Sequence, residues 1–286
     1  MNPTYAVGRY AAAALRDRPR PDALLLSQLL FGEPVRLLES IGAYAKVSCS
    51  DDGFEAWVRA DQLLAVDEPT YREQCDAPAF NLDLFSTILG NNEGVPVTFG
   101  ARLTGFDGLR LRHGRRVFSY TGQAVLSADL STNAQLLLRL ARKWLYVPGM
   151  QGGRTPAGVG PAALLQLLFR LIDIKLPRSA AKMVQHGDLV DLVVQAQVGD
   201  LAYFDDRRGN VNHVGLLFPD STILHVHDRV RIDAIDHFGI FNYELGRYTH
   251  QLRVVKRLLP DDNKPGILKS KEERLREGPV NQLAIF

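Results

Sequence analysis

The spacing of apolar residues changes character at Ser131, and that change limits what the chain can build. Upstream, residues 24–66 read as short strands. LLLSQLLFGEPVRLLES has apolar runs broken by Gly32 and Pro34, AYAKVSC alternates apolar and polar, and Asp51-Asp52-Gly53 marks a hairpin turn before FEAWV. Residues 80–126 repeat the theme in VPVTFGARLTGF, LRLRHG and RRVFSYTGQAV, with His113-Gly114 at a turn. Beyond Ser131, NAQLLLRLARKWLY and PAALLQLLFRLIDI carry apolar residues at helical spacing. GDLAYF, HVGLLF, TILHVH, RVRIDAI and QLRVVKRLL then return to strand patterning. Helices followed by strands predict an α+β domain with an antiparallel sheet.

Two small β-barrels over 1–67 and 68–128 are therefore expected, with YREQCDAP after Pro69 as a linker. An α+β domain over 129–262 and a charged tail over 263–286 follow. Bulk properties exclude several classes. Lys and Arg total 34 against 32 Asp and Glu, so no net field favours nucleic acid or an acidic membrane surface. No stretch approaches the roughly 20 apolar residues that span a bilayer. The N-terminal apolar run stops at Arg16, Asp17 and Arg18, which makes a poor secretory signal. The chain as written is expected to be cytoplasmic, and exported if a leader precedes it. Cys49 and Cys75 allow one disulfide but no disulfide framework, and no Cys/His spacing suits a structural zinc.

Several motifs then agree in order. LPRSAAKM, VGDLAYF, NHVGLLF and ILHVHDRVRI resemble successive segments of the NlpC family of papain-like cell-wall cysteine peptidases. SQLLFGEPVRLLESIGAYAKVSCSDDGFEAWVRADQLL resembles the bacterial SH3-like modules that precede many of them. The resemblance implies two SH3-like barrels, the second placed by context, and a papain-like domain that hydrolyses γ-D-glutamyl-diamino-acid peptides without a cofactor.

In that family a Cys at a helix start attacks the amide, a His takes its proton and a third polar residue orients the His. A helix N-terminus favours the thiolate, which is the competent nucleophile. Here the family's nucleophile segment falls on Gly158 to Gln166, which puts Pro161 at the Cys position, Gly160 at the preceding Asp and Ala162 at the following Ser. The base would be His213 and its orienting partner His225. The Pro-Tyr-x-Trp-Gly-Gly segment becomes Pro148 to Gly153, which keeps Gly152 and Gly153 but loses both aromatics. No cysteine follows Cys75, so the domain has no thiol. Proline is tolerated at the first helical position, so the scaffold can persist without the chemistry.

The expected protein is thus an inactive homologue that binds cell-wall peptide fragments or a protein partner. Glu55 and Trp57 are candidates for the peptide's free amine and its groove, against a plainer reading as solvated charge and barrel core. Arg154 and Arg178 are candidates for a peptide carboxylate, against a reading as surface arginines. A second functional class is metal-assisted hydrolysis by His213, His225 and His227, of which His225 and His227 share one strand face. A third is an interaction module with no ligand groove.

Overall fold

The computed structural model describes residues 4–76, 79–191, 195–206 and 208–260, and the expected tail at 263–286 lies outside them. The chain divides into two units. Met1–Ser131 with Met150–Ala163 form the first, and Thr132–Gly149 with the residues from Leu164 onward form the second.

In the first unit, seven strands make one antiparallel sheet ordered β3-β2-β6-β5-β4-β1-β7. They are β1 (Tyr5–Gly8), β2 (Ala12–Arg16), β3 (Leu25–Leu30), β4 (Pro34–Ile41), β5 (Tyr44–Cys49), β6 (Glu55–Arg59) and β7 (Leu63–Val66). Period-two alternation sends Ala13, Leu15, Leu29, Val35, Val47, Ala56 and Val58 into its core. Cys49 is buried in that core and Cys75 is half-buried, and no disulfide joins them.

The expected linker after Pro69 is instead a helix, α1 (Glu68–Asp76). Asp67 Oδ1 accepts the Thr70 N–H at 3.0 Å, which caps the first turn. Pro69 sits in that first turn, where a missing N–H costs nothing. Arg72 pairs with Glu68 one turn back.

The next seven strands form two small sheets, β10-β9-β13-β12 and β11-β8-β14. These are β8 (Ala79–Asn81), β9 (Phe85–Leu89), β10 (Gly94–Thr98), β11 (Arg102–Leu103), β12 (Arg110–His113), β13 (Arg116–Ser119) and β14 (Ala124–Leu126). They enclose a core of Ile88, Val97, Leu103, Leu111, Phe118 and Tyr120 together with Phe31, which belongs to the turn after β3. The Phe31 ring also lies 4.2 Å from that of His113. Arg102 forms a buried ion pair with Asp51. Side chains thus cross the expected 67/68 border, and the two strand-rich regions pack as one unit.

A hairpin of β15 (Arg154–Thr155) and β16 (Gly158–Val159) completes the first unit, although its sequence lies beyond residue 129. It leads into α3 (Pro161–Arg170), whose first three residues count with the first unit and whose remainder counts with the second.

The second unit also holds α2 (Ala134–Arg142), capped by Asn133 Oδ1 accepting the Leu136 N–H, and the short α4 (Ala180–Met183). Its sheet contains β17 (Asp188–Leu189), β18 (Leu201–Asp205), β19 (Val211–Phe218), β20 (Thr222–His227), β21 (Arg229–Ile235), β22 (Gly239–Asn242) and β23 (Arg247–Arg257). The eleven residues of β23 close this sheet. Its C-terminal part pairs with β18, from Leu201↔Lys256 to Asp205↔Gln251. Its N-terminal part pairs with β22, from Gly239↔Gln251 to Asn242↔Arg247. Strands β18 to β23 therefore form a closed six-stranded antiparallel barrel, which leaves none of the six at an open edge. Phe204, Leu217, Ile223, Ile235, Ile240 and Leu252, one from each strand, pack together as its interior. Gly215 keeps that interior closed, because a Cβ there would lie 2.6 Å from Ile223 Cδ1.

Candidate functional site

The barrel interior changes from apolar to polar along its axis. Two residues from Leu252 is His250, two from Ile223 is His225, two from Ile235 is Asp233, and four from Leu217 is His213. Even spacing along a strand preserves the face, so each of these side chains shares the inward face of its apolar neighbour. The register agrees: His213 pairs with Phe204, His225 with Arg231, and His250 with Ile240.

These residues make a continuous hydrogen-bonded series. His213 Nε2 lies 3.1 Å from His225 Nδ1, and His225 Nε2 lies 2.9 Å from Asp233 Oδ2. Arg231 grips both oxygens of Asp233, with Nη2 2.9 Å from Oδ1 and Nε 2.7 Å from Oδ2. Arg231 Nη1 also reaches Glu244 Oε2 at 3.0 Å, and Arg229 holds the other oxygen of Glu244. Burial alone would raise the Asp233 carboxyl. Hydrogen bonds from His225 and Arg231 reverse that and hold it below its ordinary value. Asp233 is therefore a carboxylate and an acceptor, so His225 carries its proton on Nε2. His225 Nδ1 is then a lone pair that accepts from His213 Nε2–H.

Two further imidazoles pack around the pair. The His250 ring stacks on His213 with centroids 4.0 Å apart and planes 23° apart, and its Nδ1 lies 3.0 Å from Thr249 Oγ1. The His227 ring lies 6.4 Å from that of His225 and 5.4 Å from that of His250. Burial, with the neighbouring His250, His225 and His227, holds His213 well below the ordinary histidine value. Burial also lowers His225, an effect Asp233 partly offsets. Burial, with His225 and His227, takes His250 down to about 3. His213, His225 and His250 are therefore neutral at physiological pH. A cavity of about 790 Å³ opens onto it, lined by Asp205, Asp206, His213, Tyr248, Thr249 and His250 among others.

The structure thus brings together His213 and His225 as expected, and corrects the third member of the imidazole set. The three whose ring nitrogens lie within 4.8 Å of one another are His213, His225 and His250, not His227. Asp233, Arg231 and His250 were not singled out in the sequence. The interior alternation Arg231-x-Asp233 and the placement of His250 two residues before Leu252 were the available signals. Neither has meaning until β23 is known to close the barrel.

The remaining candidates fall elsewhere. Pro161 is the first residue of α3, followed by Ala162 and Ala163, so that turn carries no nucleophilic atom. Arg154 is fully buried, and both prongs of its guanidinium meet Glu33 at 2.7 and 2.8 Å. Its backbone N–H donates to Gln28 Oε1. The carboxylate it binds is internal, which corrects its assignment to a peptide carboxylate. Gly152 has φ +73, and a Cβ there would lie 2.4 Å from the Leu25 oxygen. A Cβ at Gly153 would lie 2.3 Å from the Gly158 oxygen. Both glycines serve close backbone packing of the hairpin. Glu55 is exposed and pairs with Lys46 at 3.0 Å. Trp57 is half-buried on the face of β6 opposite the core residues Ala56 and Val58, so it is not barrel core. Arg178 is half-buried in the loop before α4.

A closed six-stranded antiparallel barrel with a histidine pair inside it, accompanied by a few helices, defines the papain-like class of fold. Residues 148–249 match the NlpC/P60 family, and residues 15–63 match the bacterial dipeptidyl-peptidase SH3 domain. The chain therefore carries an NlpC/P60 domain behind a bacterial SH3 domain. Among solved structures it resembles an NlpC/P60 family protein from Bacillus cereus ATCC 10987. That match has TM-score 0.76 and 18% identity, and covers 90% of this chain and 100% of the other. It also resembles an NlpC/P60 endopeptidase from Photobacterium damselae subsp. piscicida, with TM-score 0.63 and 15% identity, covering 88% of this chain and 70% of the other. No curated protein matches the chain.

Proposed function

We propose that this protein is a catalytically inactive homologue of the cell-wall peptide hydrolases, one that binds peptide fragments of the wall without cutting them. One observation carries the reading: residues 148–249 contain no cysteine, yet the buried His213–His225–Asp233 series stands ready to serve one. A thiolate is what this kind of histidine pair activates, and proline at position 161 offers no atom in its place. The base and its orienting groups remain while the nucleophile is gone.

Binding is supported by the cavity at the histidine end of the barrel, where Asp205 and Asp206 offer carboxylates and Tyr248 and Thr249 offer hydroxyls. Such groups suit the ammonium and amide groups of a stem peptide. The β8–β14 region is read as a second SH3-like module that supports the first. The test is a calorimetric titration with L-Ala-γ-D-Glu-diaminopimelate, followed by mass spectrometry of the peptide. Saturable binding with the peptide intact is expected. Cleavage would overturn the inactivity, and absence of heat would overturn the ligand.

A further inference from the structure

The histidine pair and Asp233 are accounted for by the papain-like chemistry of the fold, but His250 is not. It lies one residue beyond the segment 148–249 that matches the family, and it stacks directly on His213. We propose that His213, His225 and His250 form a binding site for a single zinc-class divalent ion, with a fourth position open to the cavity.

The donor set fits. The three ring nitrogens lie within 4.8 Å of one another, and His213 Nε2 and His225 Nδ1 are already 3.1 Å apart. Zinc–imidazole bonds of about 2.0–2.1 Å in tetrahedral geometry place ligand nitrogens roughly 3.3–3.4 Å apart. His213 and His225 are near that spacing, and the His250 ring turns out of its stack on His213 to bring its nitrogen to the ion. The ion takes the place of the proton now shared by His213 and His225. His225 already presents a lone pair on Nδ1, and His213 presents one on Nε2 by moving its proton to Nδ1. His250 has Nδ1 engaged with Thr249 Oγ1, which leaves Nε2 as its ligand atom.

The surroundings fit as well. A histidine ligand that donates its other N–H to a carboxylate is the recurring support of zinc sites, and Asp233 supplies it to His225. Arg231 fixes that carboxylate through two contacts, so the ring of His225 is held in orientation. Three neutral imidazoles with one open position are also the donor set of a catalytic rather than a structural zinc. The cavity bounded by His213, His250 and Asp205 is where water or a ligand carboxylate would complete the coordination. An all-imidazole donor set suits zinc, copper, iron or nickel over the oxygen-preferring magnesium, calcium and manganese.

The proposal stands apart from peptide binding, and its test contains no peptide. Tag-free full-length protein is stripped with chelator, then titrated with zinc against a chromogenic competitor. Cobalt is added in parallel for its visible absorption. One ion per chain and tetrahedral-type cobalt bands are expected. His250→Gln, at a half-buried position, should weaken zinc at least about a hundredfold, and Asp233→Asn about ten- to a hundredfold. His227→Gln should change affinity less than about twofold. Near-ultraviolet circular dichroism establishes that each variant is folded. Absence of stoichiometric binding would overturn the site. So would unchanged binding in folded His250→Gln, or a loss in His227→Gln equal to that in His250→Gln.

Discussion

His225 donates its Nε2 proton to Asp233 across 2.9 Å, and both side chains are almost wholly removed from solvent. The carboxylate is balanced on its other side by Arg231, itself only 3% exposed. A buried charge of this kind depends on its partner, and that dependence yields the first expectation.

Asp233→Ala leaves Arg231 buried with one carboxylate fewer, and should destabilise the second unit by about 3–5 kcal/mol. The double variant Arg231→Met/Asp233→Leu removes both charges and should recover at least half of that loss. Urea unfolding of the wild type and the two variants measures it. A double variant no better than the single would show that the pair does not act as a unit.

Acid should unfold this protein through its histidines. His213 and His225 in the folded state lie below their ordinary 6.5, and His250 lies at about 3. The unfolded chain therefore binds protons at these positions as pH falls below 6.5, while the folded chain does not. Their contribution is complete above pH 6.5 and declines as pH falls below it, for His250 down to about 3. Each adds at most about 1.4 kcal/mol of loss per pH unit. Asp233 acts in the same direction lower down, because its depressed carboxyl stabilises the fold above 3.8 and is lost below it. Urea midpoints at pH 7.5 and 5.5 should fall for the wild type and fall less for His213→Gln.

In the first unit, Arg154 and Glu33 make a pair that is 0% and 3% exposed. Arg154→Met should cost about 3–5 kcal/mol by leaving Glu33 short of its main partner. It should leave peptide and zinc affinity unchanged, because the guanidinium is occupied internally. Thermal unfolding combined with either titration separates the two roles, and a loss of peptide affinity in the folded variant would restore Arg154 as a ligand residue.

Position 161 opens a ten-residue helix, where the N-terminal partial charge favours a thiolate. Pro161→Cys should therefore be alkylated at pH 6 at least about tenfold faster than the half-buried Cys75 of the same molecule. Site-resolved mass spectrometry reads both rates. Equal rates would mean that the helix start no longer activates a nucleophile.

Much of this was legible in the residues themselves. The shift from strand to helix period after Ser131 was legible, because burial of one face forces period two or 3.6 on any chain. The absence of a thiol was legible there too, and the pairing of His213 with His225 was implied by the family resemblance. The helix at Glu68–Asp76 was missed because Pro69 and a polar run read as a linker, whereas the Asp67 cap and the Glu68–Arg72 pair decide locally for helix.

Tertiary structure alone decided the rest. Arg154 looks like a surface cation until the chain brings Glu33, 121 residues away, onto it. His250 and Asp233 look like ordinary strand residues until β23 pairs with both β18 and β22. Local sequence determines which face of a strand a side chain takes. Only closure of the barrel turns that face inward and brings residues from four strands within bonding distance, because such contacts depend on long-range register that no local pattern encodes.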